Sequence, residues 1–120
     1  MKKWLLGAVL LWQSNAHAQL KVTSLPAQEI YQEAKSYFYG VGKKNDMVKA
    51  AELFRRASEA GNAKANTALA FMYETGQGVK RNLDSALWLY KKGAKLKDGN
   101  AYLELSRIYY DDKLVPQDFA

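Results

Sequence analysis

The sequence has no cysteine and a single histidine, His17, among its 120 residues. His17 lies in an N-terminal segment that we expect to be removed, so the mature protein would carry neither a thiol nor an imidazole. Zinc sites built on Cys or His, Ser-His-Asp triads, cysteine nucleophiles and His-ligated haem all require one of these groups. We therefore expect no catalytic residues, no metal ion and no cofactor, and no disulfide contributes to stability.

The N-terminal segment has the pattern of a bacterial signal peptide. Met1-Lys2-Lys3 precedes an apolar run from Trp4 to Trp12, and Ala16-His17-Ala18 places small residues before Gln19. The apolar run is too short for a membrane anchor, which needs about 20 residues. We predict cleavage after Ala18, a periplasmic or secreted location in a Gram-negative bacterium, and no stable membrane insertion after cleavage.

The charge of the remaining chain is mildly basic. Removing residues 1–18 from the 120-residue chain leaves 102 residues, and losing two lysines lowers the formal net charge from +6 to +4. A small excess of this kind, spread along helices, is typical of solvated faces. We expect one domain with a modest core and no binding to nucleic acid.

The chain repeats itself every 36 residues. The matching pairs include Ala65 and Ala101, Leu69 and Leu105, Tyr73 and Tyr109, Gly40 and Gly76, and Gly42 and Gly78. Each period holds two stretches with apolar residues at helical spacing. The segment Thr75-Gly76-Gln77-Gly78 separates two of them, and its glycines tolerate the positive φ of a turn. The sequence therefore predicts a series of antiparallel helical hairpins.

The helices are predicted over 26–39, 46–60, 63–75, 82–96 and 98–111. Pro26 fits the first turn of the first helix, and Asp46 and Asn82 can cap the second helix of each hairpin. After a linker over 19–26, the repeat domain spans 27–120, with units of about 27–62, 63–98 and 99–120. The segment 115–118 occupies the same columns as 79–82, so the third unit is incomplete at Ala120.

These columns resemble the Sel-one-like repeat family, a relative of the tetratricopeptide repeats. The family pattern is close to A-x-x-x-L-G-x-x-Y-x-x-G-x-G-V-x-x-D, followed after a gap by A-x-x-W-Y-x-K-A-A-x-x-G. The second unit matches at Ala65, Leu69, Tyr73, Gly76, Gly78, Val79, Ala86, Tyr90, Lys92 and Ala94. The resemblance implies an all-α fold, a short right-handed α-solenoid of helix-turn-helix repeats that serves as an adaptor or scaffold. Exported bacterial members are linked to host interaction, envelope signalling or immunity against toxic effectors.

One helix face is predicted to bind the partner. If Ala65, Leu69 and Met72 face the core, then residues 67, 71 and 74 point about 200° away, at about 100° per residue. With their equivalents, the predicted partner-binding residues are Tyr31, Lys35, Phe38, Thr67, Phe71, Glu74, Leu103, Arg107 and Tyr110. Stacked repeats place such columns on a concave surface, and aromatic side chains beside Arg are typical of interfaces. Alternatively, Phe38, Phe71 and Tyr110 pack against neighbouring repeats.

The C-terminal edge is a second candidate surface. Leu105, Ile108 and Tyr109 lack the helix that follows the same columns upstream, so the edge could bind a partner or a second copy of the chain in a homodimer. Phe119 could instead fold back over it, or the chain could be a truncated fragment of a longer scaffold protein.

The sequence thus predicts a periplasmic protein-binding module or adaptor whose partner is an envelope protein or toxin; as an immunity protein it would neutralise a toxic enzyme. The competing hypothesis is a small cell-wall or lactam-active hydrolase. Its carboxylates would come from the pairs Glu29 with Glu33 or Asp111 with Asp112, which are more simply a solvated helix face and a helix end.

Overall fold

The computed structural model describes residues 25–111, which form five α-helices and no strand. The helices are α1 (Ala27–Tyr39), α2 (Met47–Glu59), α3 (Ala63–Thr75), α4 (Leu83–Lys95) and α5 (Gly99–Tyr110). All five predicted helices are confirmed, and each predicted end lies within one residue of the observed end. The predicted signal peptide, most of the linker and the turn segment 115–118 lie outside the described residues.

The helices pair as hairpins, and the hairpins stack in chain order. α1 packs against α2 and α3 against α4, while α2 with α3 and α4 with α5 form the contacts between units. Alanines occupy many of the fully buried positions: Ala34, Ala50, Ala57, Ala65, Ala70, Ala86 and Ala101. Small side chains of this kind let neighbouring helices approach closely. The arrangement is the all-α solenoid that the repeat predicts.

The helix starts follow the predicted capping, with one difference. The side chain of Asp46 accepts a hydrogen bond from the Lys49 amide at 3.0 Å, and that of Asn82 accepts one from the Ser85 amide at 3.1 Å. Pro26 lies at the N-cap rather than inside the first turn. Its carbonyl accepts the first helical hydrogen bonds, which a residue at the cap position can do without an amide hydrogen of its own.

The 36-residue period is also present in the backbone hydrogen bonds between helices. The Asp46 amide donates to the Tyr37 carbonyl at 3.0 Å, and one period later the Asn82 amide donates to the Tyr73 carbonyl at 2.8 Å. These bonds close the loop of each hairpin in the same way. The two hairpins therefore repeat in conformation as well as in residue type.

Basic side chains on the second helix of one unit contact a tyrosine on the first helix of the next. The Arg55 guanidinium donates to the Tyr73 hydroxyl at 2.9 Å. One period later, the Lys91 ammonium lies 5.9 Å from the centre of the Tyr109 ring. Each contact joins a unit to its successor.

In the first unit, the equivalent tyrosine, Tyr37, contacts a lysine from the loop of its own unit. The Lys43 ammonium lies 4.4 Å from the centre of the Tyr37 ring and 2.9 Å from a Glu33 carboxylate oxygen, which raises the pKa of the lysine. Glu33 and Lys43 occupy the columns that hold Leu69 and Val79 in the second unit. An ion pair therefore stands in the first unit where the second has two apolar residues.

A polar network joins the last three helices. The buried Tyr90 hydroxyl of α4 donates to a Glu74 carboxylate oxygen of α3 at 2.8 Å. Arg107 of α5 pairs with the other Glu74 oxygen and also donates to Glu104 at 2.9 Å. Burial, and then the bond to Glu74, raise the pKa of Tyr90 far above its ordinary value. The bond to Glu74 likewise raises the pKa of Arg107.

Two glycines one period apart allow a matched test of packing between the loops and helices. Gly42 and Gly78 have φ of +73° and +69°, but a Cβ at Gly42 would meet nothing, whereas a Cβ at Gly78 would lie 2.2 Å from the Met47 carbonyl oxygen. Gly42→Ala should cost about 1 kcal/mol for the left-handed backbone. Gly78→Ala should cost at least about 3 kcal/mol, because backbone must also move. Urea unfolding measures both, and equal losses would contradict the close contact.

Tyr90→Phe should change how stability depends on pH. A phenol with a raised folded pKa stabilises fully below the ordinary tyrosine pKa of about 10, and this contribution is lost as pH rises towards the folded pKa. At pH 8 the variant should be less stable by about 2 kcal/mol, the value of a hydrogen bond to a charged group. The difference in the free energy of unfolding between wild type and variant should narrow between about pH 10 and pH 11, as measured by urea unfolding. A difference that stays constant over this range would refute the hydrogen bond between Tyr90 and Glu74.

Candidate functional site

The first helices of the three units enclose a groove. A cavity of about 460 Å³ opens between α1, α3 and α5, and we call it the groove. Six of the nine predicted partner-binding residues line it: Tyr31, Lys35, Phe38, Thr67, Phe71 and Leu103. The helical phase therefore identified the groove face correctly. Binding by these residues stays a prediction.

The other three predicted residues do not line the groove. Glu74 has a side chain only 10% exposed, because its carboxylate binds Tyr90 and Arg107. Arg107 is held between Glu74 and Glu104. Tyr110 lies near the end of α5 and is 75% exposed. Glu74 and Arg107 were expected to point outwards as docking residues, but the structure places them in a contact between units.

Aromatic side chains form the part of the groove beside α1. The Phe54 ring of α2 lies 5.7 Å from the Tyr31 ring and 6.2 Å from the Phe38 ring, measured between centroids. Phe38 is half-buried against the core, and Phe54, whose ring it contacts, belongs to the same unit rather than to a neighbouring one. Phe71 is 40% exposed and Leu103 is 69% exposed. The groove thus combines a packed aromatic wall with apolar side chains that remain accessible.

The carboxylates that line the groove already have partners. Asp98 is nearly buried and accepts a hydrogen bond from the Thr67 hydroxyl at 2.5 Å. Glu104 accepts one from Arg107 at 2.9 Å. Burial, followed by the charges of Tyr39 and Asp98, raises the pKa of the Tyr31 phenol. Tyr31 therefore keeps its proton at neutral pH and remains a hydrogen-bond donor.

The lysines that line the groove are differently placed. The Lys35 ammonium lies 5.6 Å from the centre of the Tyr31 ring. Lys64, at the start of α3, is exposed at the mouth of the cavity. Within residues 25–111, neither lysine forms an ion pair with a carboxylate. The two lysines are therefore unpaired among the described residues, whereas Asp98 is nearly buried and Glu104 is paired with Arg107.

Lys64 and Asn100 line the groove but are absent from the predicted partner-binding columns. Each lies seven residues before a residue of the predicted middle column, Phe71 or Arg107, and seven residues turn an α-helix to within about 20° of the same direction. Extending the predicted face by one further helical repeat towards the N-terminus would have included both. The position of both residues on the groove face could thus have been predicted from the helical phase.

A second cavity of about 430 Å³ lies on another part of the surface, against α2, α3 and α4. Its lining includes Arg55, Tyr73, Trp88 and Lys92. Trp88 is exposed, and the Lys92 ammonium lies 5.3 Å from its ring centroid. Tyr73 and Lys92 match the repeat pattern in the sequence, but none of these four residues belongs to the predicted partner-binding columns.

The C-terminal edge is partly covered within the described residues. Ile108 is fully buried in the core cluster, as the equivalent Met72 is, and α5 contacts both α4 and α3. The predicted absence of a further covering helix concerns residues after 111, which lie outside the described residues. Leu105 and Tyr109 are half-buried, and Tyr102 is exposed.

Residues 25–111 contain neither a group of metal ligands nor a helix that could cross a membrane. No three or more His, Cys, Asp or Glu side chains in this range are grouped so that they could hold a metal ion. None of the five helices combines the length and apolar character needed to cross a bilayer.

The sequence was compared with known families and proteins. It matches the Sel1 repeat at residues 31–62 and 63–98. It is 29% identical over 108 residues to Chitin synthase regulatory factor 3 of Schizosaccharomyces pombe, covering 89% of this chain and 12% of that protein. It is 35% identical over 78 residues to the ERAD-associated E3 ubiquitin-protein ligase component HRD3A of Arabidopsis thaliana, covering 65% of this chain and 10% of that protein. The chain spans about a tenth of the length of these relatives.

Two crystal structures have a similar fold. A Sel1 repeat protein from Oxalobacter formigenes superposes with a TM-score of 0.73 at 22% identity, over 78% of this chain and 38% of the other. A protective antigen of uropathogenic Escherichia coli strains, with an SLR fold, superposes with a TM-score of 0.74 at 29% identity, over 86% of this chain and 22% of the other. With two matched repeats covering more than half of its sequence, the chain belongs to the Sel1 repeat family.

Proposed function

We propose that this chain is an exported protein-binding module that holds a segment of another protein in its groove. The groove is the observation that carries the proposal. It places accessible apolar side chains, Phe71 and Leu103, beside the lysines Lys35 and Lys64, and interfaces are typically rich in such aromatic anchors. Because its residues come from three stacked helices, the surface is already assembled before a partner binds.

The names of two relatives are consistent with a role in protein assemblies. HRD3A is named as a component of a ubiquitin ligase, and the fission yeast protein is named as a regulatory factor of chitin synthase. We extend the general role of binding another protein to this chain. The resemblance of its first 18 residues to a signal peptide supports a role in the periplasm or outside the cell, which we propose is that of an adaptor or of an immunity protein against a toxic effector.

The hydrolase hypothesis gains no support from the described residues. Glu33 is paired with Lys43, and neither Glu29 nor Glu33 lines either cavity. The carboxylates that do line the groove, Asp98 and Glu104, are bound to Thr67 and Arg107.

Export predicts a defined N-terminus. When the chain is expressed in a Gram-negative host, the protein recovered from the periplasmic fraction should begin at Gln19, because small residues precede it. Intact-mass measurement and N-terminal sequencing test this. Ala18→Arg should block processing and leave the larger precursor, whereas a wild-type protein that begins at Met1 in the cytoplasm would contradict export.

Binding in the groove predicts crosslinking that depends on position. A photo-crosslinking phenylalanine analogue at position 71 should form an adduct with another protein in living cells, identified by mass spectrometry. The same analogue at position 88 is the control, because Trp88 is also exposed but lies outside the groove. A secreted toxin in the adduct would indicate immunity, and an envelope-assembly protein would indicate an adaptor.

The contrast between the two positions decides the outcome. Leu103→Ala should lower the yield of the position 71 adduct several-fold without changing the circular dichroism spectrum, because Leu103 is exposed. The absence of an adduct at position 71, or equal yields of the same adduct at 71 and 88, would refute binding in the groove.

A further inference from the structure

The groove is lined by charges of both signs, which differ in accessibility and pairing. Asp98 is nearly buried and accepts a hydrogen bond from the neutral Thr67 hydroxyl, and Glu104 is paired with Arg107. Lys35 and Lys64 have no ion-pair partner within residues 25–111. The accessible charges that a ligand could pair with in the groove are therefore the two lysines.

The apolar part of the groove is next to these cations. Tyr39, Phe71 and Leu103 all line the cavity, and each is at least 40% exposed. Such side chains gain free energy when a ligand removes them from water, by roughly 25 cal/mol per Å² of apolar surface. A ligand that matches the groove must therefore supply both an apolar side chain and negative charge.

We propose that the groove recognises an acidic segment of a partner protein, with an aliphatic or aromatic side chain next to its carboxylates. This inference rests on the proposed function and specifies the chemistry of the partner. The apolar side chain would lie against Phe71 and Leu103, and the carboxylates would pair with Lys35 and Lys64. A basic segment would place like charges together and leave the lysines uncompensated.

The shape of the site favours a protein segment over an anionic membrane surface. The lysines line a cavity of about 460 Å³, within the range of about 300 to 1,000 Å³ that is usual for ligand pockets. A flat layer of headgroups makes its best contact with a protruding basic surface, whereas a chain segment can insert side chains into a cavity. The shape of the groove therefore favours a protein segment over a membrane surface as the ligand.

Selection from a library of random 12-residue peptides tests the charge of the ligand without assuming a sequence. Peptides that carry Asp or Glu beside Leu, Ile, Phe or Tyr should be enriched on the purified protein. The affinity of the leading synthetic peptide, measured by fluorescence anisotropy, should fall as sodium chloride is raised from about 50 to 500 mM, because salt screens exposed pairs.

Two double variants with the same loss of charge separate groove recognition from general attraction. Lys35→Gln with Lys64→Gln should weaken binding about tenfold, since each exposed pair contributes a factor of about three. Lys44→Gln with Lys80→Gln is the matched control, because both lysines are exposed, lie one period apart and line neither cavity. The control should change the affinity less than twofold, and circular dichroism should show that both variants are folded.

Several outcomes would overturn the acidic ligand. These are enrichment of basic or uncharged peptides, equal effects of the two double variants, or no enrichment at all. Lysine-dependent binding to phosphatidylglycerol vesicles without peptide enrichment would indicate a membrane surface, and lysine-dependent self-association would indicate a second copy of the chain. Crosslinking at position 71 is independent of these results. An adduct that is still found there would support the proposed function even when the peptide results refute the acidic ligand.

Discussion

The close approach of neighbouring helices at alanine positions is the constraint on which the rest of the structure depends. The fully buried alanines recur in equivalent columns, such as Ala50 with Ala86 and Ala65 with Ala101. Because the same small side chain appears at the same place in each unit, the hairpins stack with the same geometry. That stacking brings residues of α1, α3 and α5 to one cavity, and the groove is formed by these stacked units.

Polar contacts between units add to this packing of helices but do not set its geometry. Arg55 with Tyr73, and the Glu74 pair with Arg107, each connect consecutive units. In the second of these contacts Glu74 and Arg107 bind each other, so these two side chains are not free to pair with a partner. Structural pairing therefore removes some charges from the accessible surface and leaves Lys35 and Lys64 without an ion-pair partner in the described residues.

The columns of the core and those of the groove differ in how strictly they repeat. Several core columns keep alanine, such as Ala50 with Ala86 and Ala65 with Ala101, whereas one of the predicted partner-binding columns holds Lys35, Phe71 and Arg107. Repetition serves packing, since every hairpin must present the same surface to its neighbour. The departures from repetition give the groove a distinct chemistry at each unit, and this asymmetry is what allows a repeat scaffold to select one partner.

The five helices, their caps and the face that carries the groove could be predicted from the sequence, because helical phase and the 36-residue period are local properties. Six of nine site residues followed from that phase alone. The burial of Ile108 and the pairing of Glu74 with Arg107 were decided by the tertiary structure. Both depend on how closely residues of different helices approach, and the phase of a single helix carries no information on that distance.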